Sequence, residues 1–238
     1  SHDIPGIVTS AELKQEIDEK LGRVQDFLKR QNLGGVLLTR VNNYSWMTAG
    51  LGDNHIVITS EVGAVSLLIL RDGRKFAIAS HAEMPRVMAE DLAGQGYEPR
   101  EFLWFEERTA PDRRLGIIRE IAQGKELGTD VPLPGMHMID AEFAPLRYQL
   151  TESEIKKYRW LGRNTTEAVN TVCRKLRRGM REREIEIRVG LGLGRVCLAL
   201  ELGLLEVGLG LDLGLLEVGL GRGHRGLGLD LLGVGLLG

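Results

Sequence analysis

The chain of 238 residues has little cysteine, no excess of charge and no long apolar run outside its last 51 residues. Two cysteines, Cys173 and Cys197, cannot form the disulfide framework of a small secreted domain, so we expect a reducing compartment. The formal net charge of −2 provides no basic surface for nucleic acid or for an anionic membrane. The longest largely apolar run before residue 188, Val65–Leu70, is far shorter than the ~20 residues that span a bilayer. Because Ser1–Asp3 begin no secretory signal pattern, we expect a cytoplasmic protein that binds neither nucleic acid nor membranes.

The last 51 residues, 188–238, differ from the rest because they lack proline, serine, threonine, asparagine, glutamine, lysine and all aromatic residues. Leucine and glycine fill 34 of these 51 positions, and the nonapeptide LGLLEVGLG occurs at both 202–210 and 213–221. Each interior glycine costs a helix about 1 kcal/mol relative to alanine, and glycine also weakens strand pairing. We therefore expect residues 188–238 to be a low-complexity tail without a unique fold. Our hypothesis for its origin is a shifted reading frame.

The preceding residues alternate helical and strand patterns. Thr9–Glu12 forms a capping box, which predicts a helix from there to Gly34. Asp72-Gly73 predicts a hairpin between strands at Val65–Leu70 and Lys75–Ser80. We predict further strands at 36–38, 56–59, 102–105 and 126–131, and further helices at 84–93 and 112–123. This order favours an α/β domain with a mixed β-sheet flanked by helices.

A second capping box, Thr151–Glu154, opens a long helix with one apolar stripe that ends at Gly179. The segment Pro132–Pro145 is rich in turn-forming residues and is typical of a connection between domains. We therefore predict an α/β domain over 1–135, a connection and first helices of a second domain over 136–187, and the tail over 188–238.

Two segments raise functional hypotheses. The tail matches the dinucleotide-binding pattern G-x-G-x-x-G at 221–226 and 233–238, but the density of glycine predicts such matches by chance. The segment Asn42–Gly50 mixes polar and aromatic residues after a predicted buried strand and continues into Gly50–His55. Loops of this kind often carry binding residues. The alternative is that Tyr44 and Trp46 pack beneath the loop.

Three stretches resemble the creatinase/prolidase/aminopeptidase P family, the pita-bread metallopeptidases. Asn43-x-x-Trp46-Met47-Thr48-Ala49-Gly50 is similar to the family's Asn-x-x-Tyr-Leu-Thr-Gly, with Trp for Tyr and Ala for Gly. Leu150–Ile155 and Met180–Ile185 resemble the opening of the family's catalytic domain. The resemblance covers about residues 10–187.

The resemblance implies an N-terminal domain of ribonuclease-H-like topology, followed by a pita-bread domain. In the intact parent, that second domain holds two divalent metal ions (Mn, Co or Zn) through two Asp, one His and two Glu. It cleaves peptides next to proline. Those ligands would lie after about residue 190, where this chain has the Leu/Gly tail. No catalytic residue, metal ligand or cofactor is therefore predicted here, and we expect the chain as written to be inactive.

We thus predict the N-terminal part of an Xaa-Pro aminopeptidase-like metallopeptidase, with a dimerisation and active-site-capping role as the resemblance implies. We expect a homodimer and, in the intact parent, a peptide substrate. Trp46, Asp53, Asn54 and His55 are the candidates for a substrate-proximal loop that reaches the neighbouring subunit. The alternative is a non-catalytic protein- or peptide-binding module of the same family. Either way, the apolar stripe of helix 152–178 lacks its sheet and predicts association.

Overall fold

A computed structural model describes residues 7–110 and 112–209 of the chain. Its strands are β1 Gly35–Arg40, β2 Val62–Leu70, β3 Lys75–Ser80, β4 Glu98–Phe102, β5 Leu127–Thr129 and β6 His137–Met138. Its helices are α1 Ser10–Arg30, α2 Val41–Met47, α3 Met84–Arg86, α4 Glu106–Thr109, α5 Arg113–Ala122, α6 Asp140–Phe143, α7 Glu152–Arg174 and α8 Glu182–Leu209. A π-helical turn, Val87–Asp91, continues α3, and a 3₁₀ turn, Ala144–Arg147, continues α6. Both glycine patterns at 221–226 and 233–238 lie outside these residues.

The six strands form one mixed sheet in the order β4-β3-β2-β1-β5-β6. Strand β2 is antiparallel to β1 and β3, while the pairs β1–β5, β3–β4 and β5–β6 are parallel. The turn at Asp72-Gly73 joins β2 to β3, and Gly73 has a φ of 93°, which a glycine adopts without strain. The predicted hairpin and the predicted mixed sheet are therefore confirmed.

Helices cover both faces of the sheet, as the sequence predicted. The first face packs against α1, α2, α3 and Phe143, whose ring is fully buried. The opposite face packs against α5 through Ile117, Ile118 and Ile121. Both capping boxes are present, because Thr9 and Thr151 each accept a hydrogen bond from the backbone of the glutamate three residues later. In the part of the chain that the structure describes, no helix is sufficiently long and apolar to cross a membrane.

Two predicted strands were wrong in position. Residues 56–59 form bends and turns outside the sheet. The preceding Asn54 donates from its side chain to Thr39 O on β1 and to Val65 O on β2, which anchors the chain before this segment. The chain rejoins the sheet only at Val62. The strand predicted at 102–105 ends at Phe102, which is paired with Ser80, the last residue of β3. Both segments therefore leave apolar residues outside the sheet.

The segment 42–50 was predicted as a loop, but α2 begins directly after β1 and extends to Met47. The amide of Asn43 explains this early turn, since its Nδ2 donates to Asp130 Oδ2 at 2.9 Å. The same buried carboxylate accepts from Thr39 N at 2.8 Å and Arg40 N at 2.9 Å. A residue just beyond β5 thus fixes the end of β1 and the start of α2.

The sheet and its core extend beyond the predicted boundary at residue 135. Strand β6 pairs with β5, and Phe143 packs edge-on against Phe27 with ring centroids 5.5 Å apart. The segment 132–145 is therefore more than a connection. Whether a second domain begins near this point stays a prediction.

The first part of the tail is helical, whereas the sequence predicted no unique fold for residues 188–238. Helix α8 includes residues 188–209 and packs on α7, and the described part of the chain ends there. At Gly192 an added Cβ would lie 3.6 Å from Ala168 Cβ, so α8 approaches α7 closely at that point. Packing against α7 offsets part of the unfavourable helix propensity of the glycines in α8. A prediction from local propensity does not include this tertiary contact. The absence of a unique fold for the remaining tail residues stays a prediction.

Candidate functional site

The candidate site is the segment Thr48–Glu61, called loop 48–61 below, which connects α2 to β2. It lies at the edge of the sheet where every strand except β2 ends, as the strand directions show. In open α/β sheets, ligands bind beyond the carboxyl ends of the strands. The position of loop 48–61 therefore fits a binding role.

An aspartate–histidine pair stands at the tip of this loop. The ring Nδ1 of His55 lies 2.7 Å from Asp53 Oδ1, and the backbone N–H of His55 donates to the same oxygen at 2.9 Å. Partial burial opposes ionisation of Asp53, but these two hydrogen bonds outweigh it and lower the pKa of the carboxyl. The Asp53 side chain is 70% exposed, so the loop presents an oriented negative charge to solvent at neutral pH.

Three apolar residues follow the pair directly. Ile56, Val57 and Ile58 are 68%, 57% and 92% exposed. Isolated apolar residues are common at protein surfaces, whereas a continuous exposed run indicates an interaction surface. The loop therefore combines a negative charge with apolar surface.

Asn54 lies inside the fold and attaches the loop to the sheet. Its Nδ2 donates to Val65 O at 2.9 Å and to Thr39 O at 3.2 Å, so one amide joins β2 to β1. The space is tight, because a Cβ at Gly63 would lie 2.1 Å from Asn54 Cγ. Asn54 thus holds the loop in place from the interior.

A second support comes from Tyr44, which the alternative interpretation of the sequence placed beneath the loop, and from Asp91 and Arg86, which the sequence analysis missed. Tyr44 donates its hydroxyl hydrogen to Asp91 Oδ2 at 2.9 Å, and Arg86 donates to Asp91 Oδ1 at 3.1 Å. Arg86 also donates to Asp53 O at 3.3 Å, which links the buried pair to the loop tip. Burial raises the pKa of Asp91 despite the hydrogen bond from Tyr44 and the charge of Arg86. No local pattern identifies Asp91, since 47 residues separate it from Tyr44.

Trp46 is an interior residue as well. It is 7% exposed and packs edge-on against Phe143 with ring centroids 5.9 Å apart. The ammonium of Lys20 lies 5.3 Å from the centre of the indole ring. Of the four predicted site residues, Asp53 and His55 are thus at the surface, while Trp46 and Asn54 support the loop from within. Contact of any of them with a substrate stays a prediction.

A buried cluster of charges lies below Trp46, where α1 meets α7. We call Glu16, Lys20, Ser153, Glu154 and Lys157 the junction cluster. Lys20 donates to Glu16 at 2.5 Å, to Glu154 at 2.9 Å and to Trp46 O at 2.9 Å, which uses all three of its N–H groups. Glu16 also accepts from Ser153 and, at 2.8 Å, from Lys157. The cluster thus contains two acids and two lysines, which three ion pairs join into one chain: Glu154–Lys20, Lys20–Glu16 and Glu16–Lys157.

The described residues do not fit a two-metal centre, since no three of their His, Cys, Asp or Glu side chains come together in a way that could hold a metal ion. The tail residues that could be compared with the family's ligands are Asp212, Glu217, His224 and Asp230, all beyond the described residues, and Glu206, whose side chain is not described. No catalytic step through a metal is therefore derived for this chain.

No protein-family model and no curated protein matches the chain. Among solved structures, an Xaa-Pro dipeptidase from Bacillus anthracis is 17% identical with a TM-score of 0.54, and the match covers 76% of this chain and 49% of that one. Dipeptidase PepE from Mycobacterium ulcerans is 11% identical with a TM-score of 0.58, covering 76% and 50%. A prolidase from Pyrococcus horikoshii OT3 is 16% identical with a TM-score of 0.52, covering 75% and 49%.

The chain thus spans about half the length of these structures. At such low identity the likeness concerns the fold alone. Together with the sequence stretches at 43–50, 150–155 and 180–185, it confirms the resemblance at the level of fold: the chain has the architecture of the N-terminal domain of prolidase-type structures.

Proposed function

We propose that this chain is the N-terminal part of a cytoplasmic Xaa-Pro aminopeptidase-like metallopeptidase, with a dimerisation and active-site-capping role and no catalytic centre of its own. The observation that carries this proposal is the tip of loop 48–61. There, the ionised Asp53, hydrogen-bonded to His55, stands beside the exposed run Ile56–Ile58 in a chain with the prolidase-type fold. The metal ions of the parent would belong to its other half.

The chemistry of the loop tip fits a peptide with a free amino terminus. A protonated amine can donate charge-assisted hydrogen bonds to the Asp53 carboxylate. The apolar run beside it can cover an uncharged side chain such as that of proline. An oriented carboxylate with adjacent apolar surface is therefore a suitable cap over the amino end of an Xaa-Pro peptide.

A second exposed apolar segment supports the dimer. Leu103, Trp104 and Phe105 are 43%, 58% and 44% exposed and follow β4 at the same edge of the sheet as loop 48–61. Only β3 lies between β2, which loop 48–61 enters, and β4, so we call Ile56–Ile58 and Leu103–Phe105 together the edge patch. Six large apolar side chains at these exposures present on the order of several hundred Å², which approaches the ~800 Å² that each partner buries in a standard interface. A second copy of this chain is the partner we propose for it.

Self-association tests the dimer. We expect sedimentation velocity to show a dimer for the natural chain and a monomer for Ile58→Glu, since burying a charge at this position is unfavourable. Ile187→Glu is the matched control, because Ile187 is 54% exposed but lies on α8. Dissociation by Ile187→Glu, with Ile58→Glu still dimeric, would place the interface on the helices instead.

Activity and binding measurements test the remaining proposal. The purified chain with Mn²⁺ should not cleave an Xaa-Pro peptide, and robust cleavage would overturn the proposal of a non-catalytic part. The second candidate, a peptide-binding module, is favoured by the same exposed loop tip. It predicts calorimetric binding of an Xaa-Pro peptide to the chain alone, weakened by Asp53→Asn, whereas a cap acting on a partner's site predicts no such binding.

The coding DNA tests the proposed parent directly. Resequencing from the codon of Arg181 onward and translation in all three frames should reveal an open frame with two Asp, one His and two Glu. If only the present frame is open, the proposed catalytic half is wrong and the chain is better treated as a binding module.

A further inference from the structure

The junction cluster joins two helices that are far apart in the sequence. Glu16 and Lys20, on α1, are each 1% exposed, while Ser153, Glu154 and Lys157 belong to the first turns of α7. Burial opposes ionisation of Glu154, but hydrogen bonds from Lys20 and from the Thr151 backbone outweigh it and lower its pKa. The cluster is thus a network of ion pairs between two helices, and it forms only where α7 docks on α1.

Lys157 connects the junction cluster to loop 48–61. Its ammonium donates to Glu16 Oε2 at 2.8 Å and to the carbonyl oxygen of Ala49 at 2.9 Å. Lys20 makes a parallel contact from α1 to Trp46 O. Two lysines held by one carboxylate therefore bind two carbonyls at the end of α2, where loop 48–61 begins.

The residue that Lys157 holds has an unfavourable backbone conformation. Ala49 has a φ of 56°, in the left-handed region that residues with a Cβ rarely adopt, and Gly50 follows at 78°. Such a residue persists only where its surroundings determine it. The hydrogen bond from Lys157 is one of these determinants, and it comes from another helix.

The amides that follow depend on this turn. Gly50 N donates to Ser45 O at 2.8 Å, Leu51 N to Thr48 O at 3.1 Å and Gly52 N to the Thr48 hydroxyl at 3.1 Å. Asp53 comes next in the chain. The conformation of Ala49 therefore sets the direction in which the loop tip leaves α2.

We propose that Lys157 is a positioning residue for loop 48–61, so that docking of α7 on α1 and ordering of the loop are a single event. The proposal relies on contacts within this chain and stands whether or not the proposed function is correct. It means that the conformation of the loop tip depends on whether α7 is docked on α1.

Lys156 provides a matched control in the next position of α7. It pairs with Glu12 of α1 at a half-exposed site and makes no contact with loop 48–61 among the hydrogen bonds of the described residues. Lys156→Met therefore removes one lysine and one ion pair between the same helices without touching Ala49.

Hydrogen–deuterium exchange of the full chain tests the proposal. In Lys157→Met we expect the amides of Gly50–Gly52 to exchange about tenfold faster or more, because a hydrogen bond to a charged group is lost. Lys156→Met should leave these amides within about twofold of the natural chain, and Lys157→Arg should restore most of the protection. Equal effects of Lys157→Met and Lys156→Met would overturn the proposal.

A measurement on the natural chain keeps the proposal testable if Lys157→Met does not fold. Native-state exchange at increasing urea should expose Gly50–Gly52 and the first turns of α7 in one opening event, with the same urea dependence. If the loop and α7 open in separate events, the coupling through Lys157 is wrong.

Discussion

Replacing Lys20 by methionine removes the centre of the junction cluster while keeping much of the side-chain volume. Lys20 is 1% exposed, and its ammonium contacts Glu16, Glu154 and Trp46 O at 2.5, 2.9 and 2.9 Å. After the substitution, two carboxylates remain in a buried site with one fewer positive charge. We therefore expect Lys20→Met to destabilise the fold strongly.

The magnitude follows from what remains around the two acids. Loss of one partner of a buried ion pair costs about 3–5 kcal/mol, because the other charge stays buried. Here Glu16 keeps Lys157 and Ser153, and Glu154 keeps the Thr151 backbone N–H. The lower end, about 3 kcal/mol, is therefore expected. Against a typical total of about 5–15 kcal/mol, the variant still folds.

Urea unfolding followed by far-UV circular dichroism measures this loss. With a slope of about 1–3 kcal/mol per molar urea, the midpoint should fall by roughly 1 M or more. Lys14→Met is the control, since Lys14 lies on the exposed side of α1 and should change stability by no more than about 0.5 kcal/mol. Adding Glu16→Gln should recover part of the loss, with a coupling energy of about 1 kcal/mol or more. A loss for Lys20→Met no larger than that for Lys14→Met would refute the reasoning, because it would mean that water solvates the cluster.

Two further predictions concern other carboxylates. The hydrogen bond from Lys156 and the backbone of Thr9 lower the pKa of Glu12 from 4.5 to about 2, so its stabilisation is complete above pH 4.5 and is lost as the pH falls toward 2. Glu12→Gln should therefore flatten the dependence of Tm on pH across that range, and an unchanged profile would contradict the lowered pKa. Asp130→Asn places an N–H₂ group against the N–H donors of β1 and should cost about 1–3 kcal/mol by urea unfolding. Burial raises the pKa of Asp130, which means that its charged form is costly in this site. Removing the charge therefore offsets part of the loss. A variant more stable than the natural chain would show that the cost of the buried charge exceeds the free energy of its hydrogen bonds.

Features set by neighbouring residues were predicted well from the sequence. Both capping boxes, at Thr9–Glu12 and Thr151–Glu154, form as expected because donor and acceptor are three residues apart. The hairpin at Asp72-Gly73 depends on two residues that tolerate a tight turn. The strand at 75–80 and the helix at 112–123 also follow from local periodicity. The local sequence of these elements is therefore sufficient to predict them.

Features set by distant partners were missed. The run Ile56–Thr59 has the composition of a strand, but β1 and β2 already have a partner strand on each side, and the preceding Asn54 binds Thr39 O and Val65 O. Whether a segment forms a strand depends on the neighbouring strands available to pair with it, and not only on its own residues. The start of α2 depends in the same way on Asp130, 87 residues after Asn43.

The candidate site also combines features that depend on neighbouring residues with features that depend on distant ones. Asp53 and His55 were predicted as members of one segment that ends in a glycine-rich turn, and the structure pairs them at the surface. Packing of Tyr44 and Trp46 beneath the loop was the alternative that the sequence left open, and both side chains are buried. The buried position of Asn54 was not predicted. Asp91 supports the tip from the end of a π-helical turn, and no spacing in the sequence connects it to the loop.

The junction cluster shows why charge patterns are ambiguous. Glu16 and Lys20 are four residues apart on α1, the spacing of an ordinary solvated pair on a helix surface. Only α7, more than 130 residues later, turns that pair into a buried one. Glu154 has the same double character, because it completes a capping box locally and binds Lys20 across the junction. Glu154 therefore has two structural roles: its local hydrogen bond to Thr151 caps the start of α7, and its ion pair with Lys20 determines where α7 docks on α1.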